Sequence, residues 1–326
     1  MNCKKLIISA LAILLVAGAV WAAGGQEATY PSKAVTIICP WSPGGGTDRT
    51  ARYIAELLAK ELGQPVNVVN KTGGDGAVGH SFGANSKPDG YTITNVTFEL
   101  GSLKYLGYSD ITPADYVPVA QYNDNAAAVI VAADSKYNTV PELLDDIKSA
   151  GSGKFTFSGA SLGSVWDLAR IGMLNAYGID PKDVKFIPTQ GAAPSITELL
   201  GGHVDVITCS YPEALPQIEA GQLKCLGLMA EKRNPDFPDV PTLKEQGLDW
   251  TYTTWRGFCL PLNTPKEITD TLIAAMDKVF ASSEFKDFMK TNGFGIRVRL
   301  GKDFGDFMMD QHKGLKEIFD ISGYGK

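Results

Sequence analysis

Histidine and cysteine are scarce in this chain, three and five in 326 residues, and neither clusters. His80, His203 and His312 have no Cys, Glu or second His beside them at ligand spacing, which argues against a zinc site. No CxxC pair occurs. Cys39, Cys209, Cys225 and Cys259 each lie in or beside an apolar, strand-like run, where a small buried thiol is the plain reading. Export would permit a disulfide, and Cys209 with Cys225 is the pair to test. A basic excess is missing as well: 30 Lys and Arg stand against 36 Asp and Glu, for a formal charge of -6. That is not the surface nucleic acid asks for, and no nucleic-acid partner is expected.

The N-terminus carries one long apolar run. Lys4 and Lys5 precede Leu6 to Val20, which suits a signal peptide and is short for a membrane span; Val20-Trp21-Ala22 ends it with a small residue. Residues 1–22 are therefore read as a signal peptide cleaved near Ala22, with an uncleaved anchor as the alternative. Cys3 lies upstream of the run, so it is not placed as a lipid acceptor, and the expectation is a soluble periplasmic protein.

What the chain does have is glycine in one telling place. Residues 40–48 read PWSPGGGTD, between the apolar run Val35-Thr36-Ile37-Ile38-Cys39 and a helical pattern in which Ile54, Leu57, Leu58 and Leu62 share a face. A nucleotide loop would need Lys after the glycines, and Thr47 and Asp48 follow instead; the dinucleotide spacing is absent too. Backbone amides bared at the start of a helix form an anion site, strengthened by the helix dipole. A purely structural tight turn is the alternative.

Apolar runs alternate with amphipathic stretches from residue 34 onward, which predicts α/β layers around largely parallel sheets. Strands are expected at 34–39, 66–70, 91–96, 117–121, 126–132, 154–158, 184–187, 204–209, 223–229 and 253–260. Helices are expected at 47–62, 76–86, 140–150, 164–177, 193–201, 212–220, 241–246, 265–280, 283–292 and 302–321. The length favours two domains. If the extended runs at 126–132 and 250–257 cross between them, residues 30–125 and 258–326 form one lobe and 133–248 the other.

Further pieces recur in order along the chain: Leu62-Gly63-Gln64-Pro65-Val66, Asn70 to Gly76, Lys87-Pro88-Asp89-Gly90-Tyr91, Gln190-Gly191-Ala192-Ala193-Pro194, Leu200-Gly201-Gly202-His203-Val204-Asp205, Asp239-Val240-Pro241-Thr242-Leu243 and Trp255-Arg256-Gly257. With PWSPGGGTD this series resembles the solute-binding proteins of tripartite tricarboxylate transporters. The resemblance implies an α/β, type II periplasmic binding protein: two α/β lobes, a ligand cleft and a double-strand hinge. It also implies no enzyme activity, no cofactor and no metal. The expected partners are a small carboxylate (di- or tricarboxylate, aromatic acid or amino acid) and the membrane permease subunits of the transporter, with the binding protein itself a monomer.

Carried onto this chain, the resemblance places one ligand-gripping loop at Ser42, Gly44, Gly45, Gly46, Thr47 and Asp48. The second is the loop 158–164, with Ser161, Gly163 and Ser164, opening a helix near Val165. Gln190, Gly191, Ala192, Asp205 and Ser210 complete the wall. Two departures from the family pattern matter: Val165-Trp166-Asp167 follows Ser164, and Trp41 stands where Phe or Tyr is more common. Trp41 and Trp166 either wall the cleft or pack in the core. Asp48 and Asp167 either receive a ligand ammonium or cap their own helices.

Two other functions compete. Gly159-Ala160-Ser161-Leu162-Gly163 fits the nucleophile elbow of a serine hydrolase, with His203 and His312 downstream. A clamp of this kind could also report to a sensor rather than to a permease.

Overall fold

The run Val35–Cys39, rich in β-branched residues, forms strand β1, and Gly46–Leu62 forms helix α1. These come from a computed structural model that describes residues 30–322 and Tyr324; the expected signal peptide, 1–22, lies outside the described residues. Ala51, Ile54, Ala55, Leu57 and Leu58 give α1 one buried face, and Gly63, at φ 64, ends it in the left-handed conformation glycine adopts freely. β2 (Val66–Asn70), α2 (Ala77–Ala84) and β3 (Thr92–Thr97) follow. β2 and β3 flank β1 in parallel, with Val35 opposite Val66 and Thr36 opposite Thr92.

The long strand β4 (Tyr116–Ala132) comes next, and beyond it a second α/β succession: α3 (Val140–Ala150), β5 (Thr156–Ser158), α4 (Val165–Ala176), β6 (Lys185–Phe186), α5 (Ala192–Leu200), β7 (Val206–Ser210), α6 (Tyr211–Glu219) and β8 (Leu223–Leu228). The chain returns through β9 (Thr253–Pro261) to α7 (Lys266–Ala281), α8 (Ser283–Thr291), β10 (Ile296–Leu300) and α9 (Gly301–Ser322). The main strand order is β2-β1-β3-β9-β4-β7-β5-β6.

β4 belongs to both parts of this arrangement. From Tyr116 to Ala126 it pairs with β9; from Ala127 to Ile130 it pairs with β7, and from Ala128 to Ala132 with β8. The expectation of largely parallel sheets is corrected here. Of nine strand pairings among the described residues five are antiparallel, and each of those involves β4 or β9, which run against both parallel blocks. The strands expected at 117–121 and 126–132 are one strand, because the polar stretch between them finds buried partners: Tyr122 Oη lies 2.9 Å from Thr50 Oγ1, and Asn123 Nδ2 donates to Asn125 Oδ1. The helix expected at 241–246 is only a short 3-10 turn, Lys244–Gln246, ended by Gly247. β10 was not expected: its exposed, Arg-containing edge carries a weak apolar signal.

β7 and β8 lie on opposite sides of β4, which puts Cys209 and Cys225 about 10 Å apart, two strand spacings and beyond disulfide reach. Both are free thiols, as are Cys39 and Cys259. Burial pushes the Cys225 thiol up to about 12.

One buried histidine anchors the end of β3. His80 Nδ1 lies 2.9 Å from the Gly76 carbonyl, which can only accept, and the Thr97 amide donates to Nε2 at 3.3 Å. The ring is thereby neutral with its proton on Nδ1, and burial lowers its pKa to about 4. Between pH ~6.5 and ~4 the unfolded chain takes up a proton here and the folded chain does not, so this stability is complete above ~6.5 and falls on acidification, by about 3 kcal/mol at pH 4. Urea unfolding followed against pH is expected to show a flatter acid limb for His80→Asn than for the parent chain; identical slopes would contradict the buried neutral ring.

Candidate ligand-binding site

Residues from several loops gather after the carboxyl ends of parallel strands, where open α/β sheets place their sites. Trp41, Ser42, Gly45, Gly46 and Thr47 follow β1; Thr97 and Glu99 end β3; Ala160, Val165 and Trp166 follow β5; Gly191, Ala192 and Ala193 follow β6; Glu213 follows β7. Thr254 and Arg256 enter from the start of β9, which runs antiparallel to β3 and sets Arg256 opposite Thr97. Together these residues line one pocket. The space they leave is ≈ 30 Å³, room for a water molecule or two rather than for an organic acid.

Three helices start at this pocket, and none has a side-chain cap: α1 after Gly45, α4 after Ser164 and α5 after Gly191. Elsewhere α3 is capped by Thr139 and α8 by Ser282, while α2 and α7 have no side-chain cap either. First-turn amides have no partner within the helix, so the three starts leave N-H donors, and the positive ends of three dipoles, at one place. Gly191, at φ 120, is in a region other residues avoid, and its hydrogen side rests against Trp41: a Cβ there would lie 3.4 Å from Cε3 of the indole.

The α1 and α4 loops repeat one geometry. Gly44 (φ 83) donates its amide to Asp48 Oδ2 at 2.9 Å, and Gly163 (φ 77) donates to Asp167 Oδ2 at 2.9 Å. The next residue along, Gly45 or Ser164, donates to the carbonyl three back, Ser42 or Ser161, and accepts the first helical bond, from Arg49 or Leu168. Each aspartate is braced by an arginine: Arg52 for Asp48, and Arg170, itself buried, for Asp167. Burial alone would raise Asp48, but hydrogen bonds from Arg52, the Gly44 amide and Asn70 outweigh it and hold the carboxylate below its usual range. Both aspartates thus turn back to hold their loops.

Across the floor runs a buried ion network that the sequence reading did not foresee. Arg256 Nη2 bonds Glu213 Oε1 at 2.9 Å, Nη1 donates to Asn123 Oδ1 at 2.6 Å, and Nε donates to Thr47 Oγ1 at 2.9 Å. Glu213 Oε2 in turn accepts from the Ser210 amide and hydroxyl. The packing leaves no room beside it: a Cβ on Gly46 would come within 2.7 Å of Glu213 Oε1. A second acid, Glu99, is 2 % exposed and forms part of the wall. Its Oε2 accepts from Thr97 Oγ1 at 2.6 Å and its Oε1 from the Val165 amide at 3.3 Å. Burial raises Glu99 and Asp75 alike, and the charge of Glu99 raises Asp75 further.

Of the expected residues, Trp41, Ser42, Gly45, Gly46, Thr47, Trp166, Gly191 and Ala192 line the pocket. Both indoles are also nearly buried, so each serves as core and as wall. Gly44, Gly163, Asp48, Ser161 and Ser164 shape the loops behind it. Gln190 contributes its carbonyl, which accepts from Ser42 Oγ at 2.9 Å and joins the α1 and α5 loops. Ser210 is fully buried under Glu213. Asp205 is the misplaced expectation: it stands at the opposite end of β7, about 16 Å along the strand from Ser210, and accepts from Thr156. Thr97, Glu99, Glu213, Thr254 and Arg256 were not anticipated.

Ser161 Oγ donates to the Thr189 carbonyl, His312 Nδ1 lies 2.7 Å from the Gly101 carbonyl, and His203 precedes β7, at the opposite end of the parallel strands from Ser161, so the hydrolase arrangement is not assembled. Among the described residues no group of three or more His, Cys, Asp or Glu could hold a metal ion, and no helix is long and apolar enough to cross a membrane.

A family model described as tripartite tricarboxylate transporter family receptor matches residues 50–323. A TctC solute binding protein from Polaromonas, solved with no ligand, is 36% identical, with 90% of this chain and 100% of that chain covered and a TM-score of 0.65. The periplasmic binding protein BugD is 27% identical, covering 91% of this chain and 100% of its own at a TM-score of 0.85. R. palustris Rpa4515, solved with adipate, shares the fold at 24% identity, with coverage of 90% and 98% and a TM-score of 0.84.

The ion network yields a direct test. Removing one partner of a buried pair strands the other, a loss of about 3 to 5 kcal/mol, whereas replacing both with apolar residues is often close to neutral. Arg256→Met is therefore expected to lose about that much stability in denaturant unfolding, and Arg256→Met with Glu213→Leu to recover most of it. Additive losses would show that the two side chains do not act as a pair.

Proposed function

The chain belongs to the tripartite tricarboxylate transporter receptor family, and we propose that it is an exported, periplasmic solute-binding protein that closes on a small carboxylate and presents it to the transporter's membrane subunits. The observation that carries this reading is the convergence of three uncapped helix N-termini on one pocket. Adipate in a protein of the same fold supports a carboxylate ligand.

The energetics suffice without a free arginine. Micromolar binding needs about 8 kcal/mol. Charge-assisted hydrogen bonds contribute roughly 1.5 to 3 kcal/mol each, and helix ends add about 0.3 to 1 each. Four such bonds with two helix ends give roughly 7 to 14 kcal/mol, a range that covers the requirement before ordering costs of several kcal/mol.

In this reading the two parallel blocks are two lobes, 30–125 with 258–326 and 133–248, joined by the crossing strands near 126–132 and 250–257. The switch of β4 from β9 to β7 at Ala126 and Ala127 supports such a crossing, as does the bond from the Ala127 amide to the Tyr252 carbonyl. A pocket of ≈ 30 Å³ must open to admit solute, and the solute then acts by its preference for one state over the other.

The test uses the chain from residue 23 onward, unfolded and refolded to strip ligand. A carboxylate that raises the melting temperature in a concentration-dependent way is expected. Ala192→Pro removes one first-turn amide at a position where proline suits a helix, and it is expected to weaken that ligand by about 10- to 100-fold. Unchanged affinity in a normally folded variant would remove the helix starts from the binding account.

A further inference from the structure

Resting on the reading of the pocket as a carboxylate clamp, we infer that Glu99 selects the solute: it reserves the α4 side of the pocket for a hydrogen-bond donor. The solute then carries one carboxylate together with an ammonium, or a comparable N-H or O-H donor, as an α-amino acid does. A second carboxylate is disfavoured there.

The first argument is hydrogen-bond polarity. Trp41 Nε1 can only donate, and it donates to Thr97 Oγ1 at 3.2 Å. The Thr97 hydroxyl proton is then directed to Glu99 Oε2, and the Val165 amide donates to Oε1. Both carboxylate oxygens therefore act as acceptors, and each keeps lone-pair capacity for a further donor. A ligand carboxylate offers no donor and would face like charge.

The second argument is the broken likeness of the two repeated loops. Gly46 opens α1 and Val165 opens α4 in matching positions, but the Val165 amide is already occupied by the chain's own carboxylate. The start of α4 is thus partly taken by Glu99, whereas those of α1 and α5, whose loops are joined by Ser42 and Gln190, are not. One carboxylate has its cradle there, and a second would have to share the start of α4 with Glu99.

The third is charge. Arg256 is the sole basic residue in the pocket wall, and each of its three nitrogens already bonds a protein group, Thr47, Asn123 or Glu213. Asp75, 1 % exposed at φ 55, lies near Glu99 but outside the pocket lining. Glu99 makes the α4 side of the wall acidic, while Trp41 and Trp166 supply apolar wall for a side chain.

Calorimetric titration of the refolded protein with matched pairs separates the possibilities: L-glutamate with glutarate, L-leucine with 4-methylpentanoate, L-phenylalanine with 3-phenylpropanoate, and succinate and citrate alongside. At least one amino acid is expected to bind about 10-fold or more tightly than its amine-free partner, and Glu99→Gln to erase that ratio while sparing the partner. The parent-chain ratio stands as evidence even if the variant fails to fold. Glutarate, succinate or citrate binding as tightly as any amino acid, with Glu99→Gln indifferent, would overturn the role of Glu99 and leave the clamp intact. No binding by any of these acids would overturn the clamp itself.

Discussion

The arrangement of the site depends on one buried guanidinium. Arg256 is held in β9 between Thr97 of β3 and Asn123 of β4 by strand register, and its three nitrogens reach α1, β4 and α6. A charge at this depth is tolerated only when it is paired and hydrogen-bonded. The residues that satisfy it are therefore fixed in position, and they include Thr47 in the first turn of α1. Gly46 is small because this ion pair occupies the space a side chain would need. The guanidinium is thus a strut of the protein, bonded to three elements at once.

The glycines and the aspartates act together. A loop that must present amides cannot cover them with side chains, and it loses rigidity by giving them up. Asp48 and Asp167 restore the rigidity from behind, each taking the amide of a left-handed glycine four residues earlier and each braced by an arginine. The acidic residue beside the triple glycine, which argues against a phosphate site when read along the chain, does not face the pocket. It neutralises an arginine and fixes a turn.

Most of the fold was legible in the sequence because its elements are locally consistent: α3 was expected at 140–150 and occupies Val140–Ala150, and the glycine loops announce two of the helix starts. What was illegible is long-range. Arg256 and Glu213 are 43 residues apart and Glu99 and Val165 are 66 apart, and nothing in either segment alone says that they meet. A signal did exist: Glu99 in Val96-Thr97-Phe98-Glu99-Leu100 and Arg256 in Thr253-Thr254-Trp255-Arg256-Gly257-Phe258 are lone charges in apolar runs. Such charges are buried only with partners. Asp205 failed for the converse reason, since proximity to Ser210 in sequence hides a full strand length between them. The parallel-sheet expectation failed because alternation of strand and helix does not reveal two strands that run back between the blocks.

The contacts across the pocket differ in kind, and the difference bears on how it opens. Ser42 Oγ to the Gln190 carbonyl is a single exposed hydrogen bond, worth about 1 kcal/mol at most. The Arg256 network is buried and multiply bonded, yet it lies beside Asn123, only a few residues before β4 changes partners at Ala126 and Ala127. If the proposed lobes rotate about that crossing, nearby groups move little and distant ones much, and the rim parts by giving up weak, solvent-exposed bonds while the charged strut near the axis is largely kept. Glu99 stands between these extremes, bonded to the Val165 amide across the pocket, and a solute donor that engages its remaining lone pairs would add to that bridge instead of displacing it.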